Sequence, residues 1–267
     1  MTMTVSVDEL QRAWTALESG QFKSTLQPRN RIDGWTPRED VIAVVGAMDR
    51  VGATTTALAM AESVSRSTRV VECAPMHASG LAFATTAELG ETGATWRGGT
   101  RGRVLLERAA REHSRIEDIS VPSETDRELT ILDLGRDPVA ILGTNTWLAD
   151  VLATVPLVVV SGATVPGLRA LDQVLQQTAR PADTCCVVIG PSVRKWPRSV
   201  HLAATGRVNH AISTNRLVTV PSEPAFGLSG LTAEPIPGRV LAACAPVVDE
   251  MLDHLEGSRH GAVRTEC

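Results

Sequence analysis

Along the chain, short runs of uninterrupted apolar residues alternate with longer stretches whose apolar positions recur every three or four residues. The runs at 41–45, 129–135, 157–161 and 185–190 are too short for helices and largely apolar, the pattern of strands buried on both faces of a parallel sheet. Residues 69–75 and 216–221 read as two further strands. Helices are predicted over 54–65, 146–154, 165–179, 199–207 and 239–255; in the third of these, Leu168, Leu171, Val174 and Leu175 share one face. The segment 80–88 is expected to hold a short helix, 89–100 to be a Gly/Thr-rich loop, and 101–113 to be a charged helix. Such alternation predicts an α/β fold: a mostly parallel, doubly wound sheet covered by helices on both faces, with any site at the carboxyl ends of the strands.

Residues 1–38 differ from the rest. A helix start at Ser6 with acidic residues in its first turn precedes Leu10, Ala13, Trp14 and Leu17 on one face, and a polar, Pro-broken stretch follows. This N-terminal helix and linker arm either packs on the domain through Trp14 or serves as a partner-binding tail. Residues 39–256 are expected to form one domain, and 257–267 a flexible tail.

Composition narrows the function classes. Hydrophobic residues make up 43% of the 267 and charged residues 21%, as in a globular protein with a core. A net charge of -4 argues against whole-surface attraction to DNA or anionic lipid, although local patches could exist around Arg97, Arg101 and Arg103, or Arg194 and Arg198. Trp96 in its Gly/Arg-rich setting reads as exposed, either gripping a base or partner or lying on a mobile surface loop; Trp196 sits in a similar cluster. The five cysteines have no metal-ligand or disulfide spacing, and the histidines show no zinc or hydrolase pattern. With no signal peptide and no apolar run of membrane-spanning length, a cytoplasmic location is expected.

The chemistry concentrates at residues 41–60. A buried strand, a Gly-bearing turn and a helix beginning with small and hydroxylated residues form the layout of a phosphate-binding P-loop, in which backbone N–H groups face an anion. The consensus supplies a lysine for the β/γ-phosphates and a hydroxyl for Mg²⁺. Here the motif ends Gly52-Ala53-Thr54-Thr55: the hydroxyl is present and the lysine is alanine. Only Lys23 and Lys195 are lysines, so few residues exist to replace it. Asp49 also sets a carboxylate where a triphosphate would bring negative charge.

In their order and spacing these pieces resemble the ParA/MinD family of deviant P-loop ATPases, over about residues 41–255. Against the family loop K-G-G-x-G-K-T-T the chain reads Met48-Asp49-Arg50-Val51-Gly52-Ala53-Thr54-Thr55, with both family lysines replaced. The family's D-x-D-P is matched by Glu72-Cys73-Ala74-Pro75, and its acid at a strand end by Asp133 before Leu134-Gly135. Leu157-Val158-Val159-Val160-Ser161 with Gly167-Leu168-Arg169, and the late Leu217-Val218-Thr219-Val220-Pro221, follow the family layout. The resemblance implies a cofactor site made of Gly46, Asp49, Arg50, Val51, Gly52, Ala53, Thr54 and Thr55, with Glu72, Asp133, Gly135 and Pro221 around it. If nucleotide binds, Thr54 and Asp133 are the expected Mg²⁺ residues. ATP or ADP with Mg²⁺, and no nucleotide at all, stand as alternatives; Thr54 is equally a plain helix cap and Asp133 a turn cap.

Three functions remain open. The first is a degenerate ParA/MinD-like positioning, assembly or partition-type factor with no or weak ATP hydrolysis. The second is an active ATPase with a nucleotide-switched dimer, using Arg50 or a residue in trans. The third is a DNA-binding adaptor for partition or conjugation. The implied partners are a second copy of the chain, a protein of a positioning, conjugation or secretion system, and nonspecific DNA. The acidic C-terminal helix, with Asp249, Glu250, Asp253 and Glu256, does not resemble the family's basic membrane anchor.

Overall fold

The computed structural model describes residues 34–92, 95–178 and 180–263. The expected N-terminal helix around Trp14 lies outside the described residues. Nine strands form one sheet: β1 (Asp40–Gly46), β2 (Thr68–Glu72), β3 (Ala87–Thr92), β4 (Trp96–Arg101), β5 (Val104–Ala109), β6 (Leu129–Asp133), β7 (Leu157–Gly162), β8 (Thr184–Ile189) and β9 (Leu217–Val220). Their spatial order is β3-β4-β5-β2-β6-β1-β7-β8-β9. From β5 to β9 every neighbour pair is parallel, and β3-β4 and β4-β5 are antiparallel. The predicted α/β class and the mostly parallel sheet are therefore both present.

The apolar runs explain the sheet's centre. Parallel strands need helical crossovers that cover both faces, so both alternating side-chain sets of β1 must be apolar. Ile42 and Val44 enter a core with Leu58 and Met60 of α1 (Ala53–Ser63), while Ala43 and Val45 enter the opposite core. After α1 the helices are α2 (Leu81–Ala84), α3 (Pro138–Leu142), α4 (Trp147–Thr154), α5 (Val165–Thr178), α6 (Arg198–Ala203), α7 (Gly206–Ser213), α8 (Pro224–Ser229) and α9 (Gly238–Val263). The α1 core is closed by Val247, Val248 and Met251 of α9; the other core takes Leu148 and Leu152 of α4 and Leu168 and Leu171 of α5. Among the described residues no helix is long and apolar enough to cross a membrane.

Four expectations are corrected. Residues 89–100 are not a loop and 101–113 are not a helix; together they supply the strands of a β3-β4-β5 meander on the edge of β2. The charged residues that suggested a helix surface instead alternate in and out: Glu107 is buried and Arg108 pairs with Glu88 on the hairpin surface. Gly98 and Gly99 are required by close approach, since a Cβ there would lie 2.6 Å from Thr92 and 2.3 Å from Thr85. Residues 199–207 are not one helix: α6 stops at Ala203 and α7 starts afresh at Gly206, whose φ of 48° is left-handed. At the C-terminus, α9 continues to Val263, through most of the segment expected to be a tail.

One buried cation organises the strand pairing on the face away from α1. Arg69, only 1% exposed, donates to Thr130 Oγ1 on β6 (2.8 Å), Glu107 Oε2 on β5 (2.8 Å), Glu39 Oε1 before β1 (2.6 Å) and the carbonyl of Ser123 (2.8 Å). Removing a guanidinium from such a cluster leaves two buried carboxylates uncompensated, which costs about 3–5 kcal/mol. Arg69→Ala is accordingly expected to lower the unfolding free energy by about that amount in urea titration. A loss below about 1 kcal/mol, the scale of a surface pair, would show that the cluster is surface-like in its energetics.

Candidate functional site

The carboxyl end of β1 passes into the Gly-bearing loop with no room for a side chain at Gly46: a Cβ there would sit 2.9 Å from the Met48 carbonyl oxygen and 3.2 Å from Val51. The chain then turns through two left-handed residues, Arg50 (φ 55°) and Gly52 (φ 93°), before α1 begins at Ala53. Glycine is at home in that region; an arginine there carries backbone strain. Met48, Asp49 and Arg50 are all exposed at the loop's crest.

No side chain caps α1. The first N–H groups of a helix have no intrahelical acceptor, so those of Ala53, Thr54 and Thr55 are left at the mouth of the loop, the requirement for cradling a phosphate. Ala53 packs with Val51 and Ile189 against the α1 core. The loop therefore opens on uncapped backbone N–H donors, with the methyl group of Ala53 at the first helical position.

Behind the cradle stand two carboxylates. Glu72 and Asp133 end adjacent parallel strands in register, project to the α1 face, and are both fully buried. Asp133 Oδ2 accepts from Thr54 Oγ1 at 2.5 Å, and Oδ1 from Gly135 N at 3.2 Å. Glu72 accepts from the hydroxyl of Ser79 and, at 2.8 Å, from Gly80 N. No buried cation is paired with either of them among the described residues; Arg69 is committed on the other face. Burial, and then the charge of Asp133, raises the Glu72 carboxyl to about 7, while burial raises Asp133 to about 6. The Cys73 thiol, buried between them in sequence, is also pushed up by burial and by both acids and stays protonated.

The structure brings together most of the residues expected at this site: Gly46, Val51, Gly52, Ala53, Thr54 and Thr55 form the cradle, and Glu72, Asp133 and Gly135 its floor. Gly135 is left-handed (φ 53°), and a Cβ on it would meet Ala74 at 2.6 Å, so the turn after Asp133 is locked against the exit of β2. Pro221 lies at the exit of β9, on the far side of β8; Ile189 of β8, 3.9 Å from where a Gly52 Cβ would be, is the nearer wall of the loop. Asp49 and Arg50 stay at the surface. Sequence reasoning missed Ser79 and Gly80, which donate hydrogen bonds to Glu72; the small residues Ala78-Ser79-Gly80 were the available signal.

The basic clusters resolve differently from expectation. Trp96 is buried and donates its indole N–H to the Val121 carbonyl, and Trp196 is buried and donates to that of Pro191. Arg101 is 5% exposed, paired with Glu62 and bonded to the carbonyls of Ala84, Thr232 and Glu234; Arg103 is bonded to that of Val64. Neither tryptophan can stack on a base, and Arg101 is withdrawn from any DNA surface. Arg97, Arg194 and Arg198 remain exposed.

The acid pair carries a pH signature. Its folded carboxyls sit above the ordinary 3.8 and 4.5, so the folded state holds more protons than the unfolded chain across the interval between those values and about 6–7. The favourable protonated state is complete below about 4, and stability falls as pH rises through 7. Urea unfolding between pH 5 and 7.5 is expected to show that fall, and Asp133→Asn to flatten it. A wild-type profile that rises or stays level across this range would contradict the uncompensated pair.

Comparison with known proteins supports the fold and nothing finer. No family model matches the chain, and no curated protein does. Among solved structures it is similar to a Borrelia burgdorferi B31 protein described as a plasmid partition protein, bound to AMPPNP, with a TM-score of 0.52 at 8% identity, covering 81% of this chain and 99% of that one. Apo McdA from Cyanothece aligns with a TM-score of 0.51 at 12% identity, over 80% of this chain and 100% of that one. A ParA family ATPase from Chlorobium tepidum TLS gives 0.51 at 13% identity, over 79% and 98%. A nine-stranded, mostly parallel sheet with its Gly-bearing loop after the central strand is thus the fold of the ParA-type P-loop ATPases.

Proposed function

We propose that this chain is a degenerate ParA/MinD-like positioning or partition-type assembly factor that hydrolyses ATP weakly or not at all. The observation that carries the reading is the methyl group of Ala53 at the head of α1, above two buried acids with no cation between them. Phosphoryl transfer needs positive charge at the β/γ-phosphates, and losing one such group costs on the order of 10³–10⁵ in rate, by analogy with an arginine finger. The open N–H groups of α1 still suit a nucleotide's phosphates, and the AMPPNP bound to the plasmid partition protein is a ligand of that class. If nucleotide binds, Thr54 and Asp133 would hold Mg²⁺, one hydroxyl and one carboxylate being a donor set that suits an ion keeping most of its own waters. That ion would add positive charge beside Glu72 and Asp133, with which no buried cation is paired among the described residues. The chain's own part is then to orient the phosphates by backbone N–H donors, with Arg50 at the crest.

The reading includes a homodimer formed across the loop face and a protein partner from a positioning, conjugation or secretion system. The exposed Arg50 favours a second reading, an active ATPase in which this guanidinium, in cis or reaching a second copy, replaces the lysine.

Phosphate release and calorimetry with Mg-ATP separate the two. The scaffold reading expects at most a trace of turnover, unchanged in Arg50→Ala, and Ala53→Lys is expected to tighten ATP binding at least about tenfold by placing an ammonium beside Thr54. Turnover in the wild type that disappears in Arg50→Ala would overturn it in favour of the ATPase.

A further inference from the structure

At the opposite end of the strands from the loop lies a cavity of about 390 Å³, between the amino ends of β8 and β9 and the helices α5 and α7. Its walls include Leu175, Cys186 and Ala211, all buried. That volume falls in the range of small-ligand sites. The polar lining is one-sided: Arg180, Arg207, Arg216 and His210 contribute, and no carboxylate is among the lining residues.

Most of the remaining polar atoms are already used. The hydroxyls of Thr178, Thr184 and Thr214 donate to the carbonyls of Val174, Arg180 and His210. Arg180 is spent on the carbonyls of Thr154 and Val155 and on Asp183. Arg216 differs. Its Nη2 contacts His254 Nε2 at 2.7 Å, but Nη1 is buried without a hydrogen bond: Glu250, at 3.6 Å, is an ion-pair partner beyond hydrogen-bond distance. A buried guanidinium donor without an acceptor costs free energy that an incoming anion would recover. Arg207, exposed at the start of α7, adds positive charge at the rim.

We propose that this cavity is a binding site for a small organic acid, whose carboxylate is taken by Arg216 and Arg207 and whose apolar body lies on Leu175, Cys186 and Ala211. The combination selects against both simple classes. An apolar neutral molecule would leave Arg216 Nη1 unpaired, and a bare inorganic anion would leave the apolar walls wet. The site is independent of nucleotide and of the function proposed above: β8 separates it from the loop, with Thr184 at the cavity and Ile189 beside Gly52.

Octanoate is a suitable probe, with octanol and inorganic phosphate as controls, tested on the full chain by calorimetry and thermal unfolding. Octanoate is expected to bind saturably and raise the unfolding midpoint, while octanol and phosphate at equal concentration bind at least about tenfold more weakly. Arg216→Met should weaken octanoate at least about tenfold, and Ala211→Phe, which fills the apolar wall, should abolish binding while the far-ultraviolet circular dichroism stays unchanged. Arg216→Lys should retain part of the affinity, which a merely unfolded site would not. Absence of octanoate binding overturns the proposal. So does octanol binding equally well, or phosphate alone competing at the same concentration.

Discussion

β1 is buried on both faces and hydrogen-bonded on both edges, to β6 and β7, and that position constrains what happens at its carboxyl end. A strand so enclosed cannot shift register without moving one apolar set into the wrong core, so Gly46 is delivered to a fixed point. From there the chain must reverse into α1 within six residues, in a space where a Cβ at Gly46 would strike its own loop. The left-handed conformations at Arg50 and Gly52 are the means of that reversal. The side chain carried at position 53 therefore need not alter the backbone. The sheet beneath the loop sets its shape and the side chains on it set its charge, and the two are separable.

Separability has a consequence for the acids. Glu72 and Asp133 are delivered to one face by the same parallel register that pairs β2 with β6, so they approach each other whether or not a cation is present. Without one, burial makes the neutral form the cheaper, against hydrogen bonds from Thr54, Ser79, Gly80 and Gly135 that favour the ionised form. The N-terminus of α1 adds some positive potential. Protons, hydroxyls and the helix dipole thus share the compensation of the two acids. A metal ion or a lysine would compete with that arrangement rather than occupy an empty site.

How much of this was legible follows from which physical signal each element leaves. Parallel strands buried on both faces are written as apolar runs, so β1, β6, β7 and β8 stand out, and with them the placement of the loop and of Asp133. The β3-β4-β5 meander leaves no such run. Glu107 looks like a helix surface residue because its partner, Arg69, is 38 positions away and also looks like one. Neither charge alone reveals that the other neutralises it. Trp96 looks exposed in the sequence for the related reason that its neighbours are glycines and arginines, although Arg101 is itself a buried tie to Glu62. The stop between α6 and α7 depends on a left-handed Gly206 whose amide neighbours are held by Asp172 of α5, a tertiary contact absent from any local pattern.

The two ends of the sheet differ in polarity, and the fold itself is the cause. In a doubly wound sheet the helices that follow parallel strands point their N-termini toward the carboxyl ends of the strands and their C-termini toward the amino ends. Anions are favoured at the first end, where α1 opens above the acid pair. Cations gather at the second, where α4 ends at Thr154, α5 at Thr178 and α7 at Ser213. Arg180 answers this directly by bonding the last carbonyls of α4. Threonine hydroxyls cover carbonyls of α5 and α7, so the helix ends there do not need Arg216 as well. Its guanidinium is held by His254 through Nη2 and ion-paired with Glu250 at 3.6 Å through Nη1, which is buried and makes no hydrogen bond. A positive group retained beyond what the helix termini require, at the wall of an otherwise apolar cavity, is the condition under which an external carboxylate gains both a partner and shelter from water.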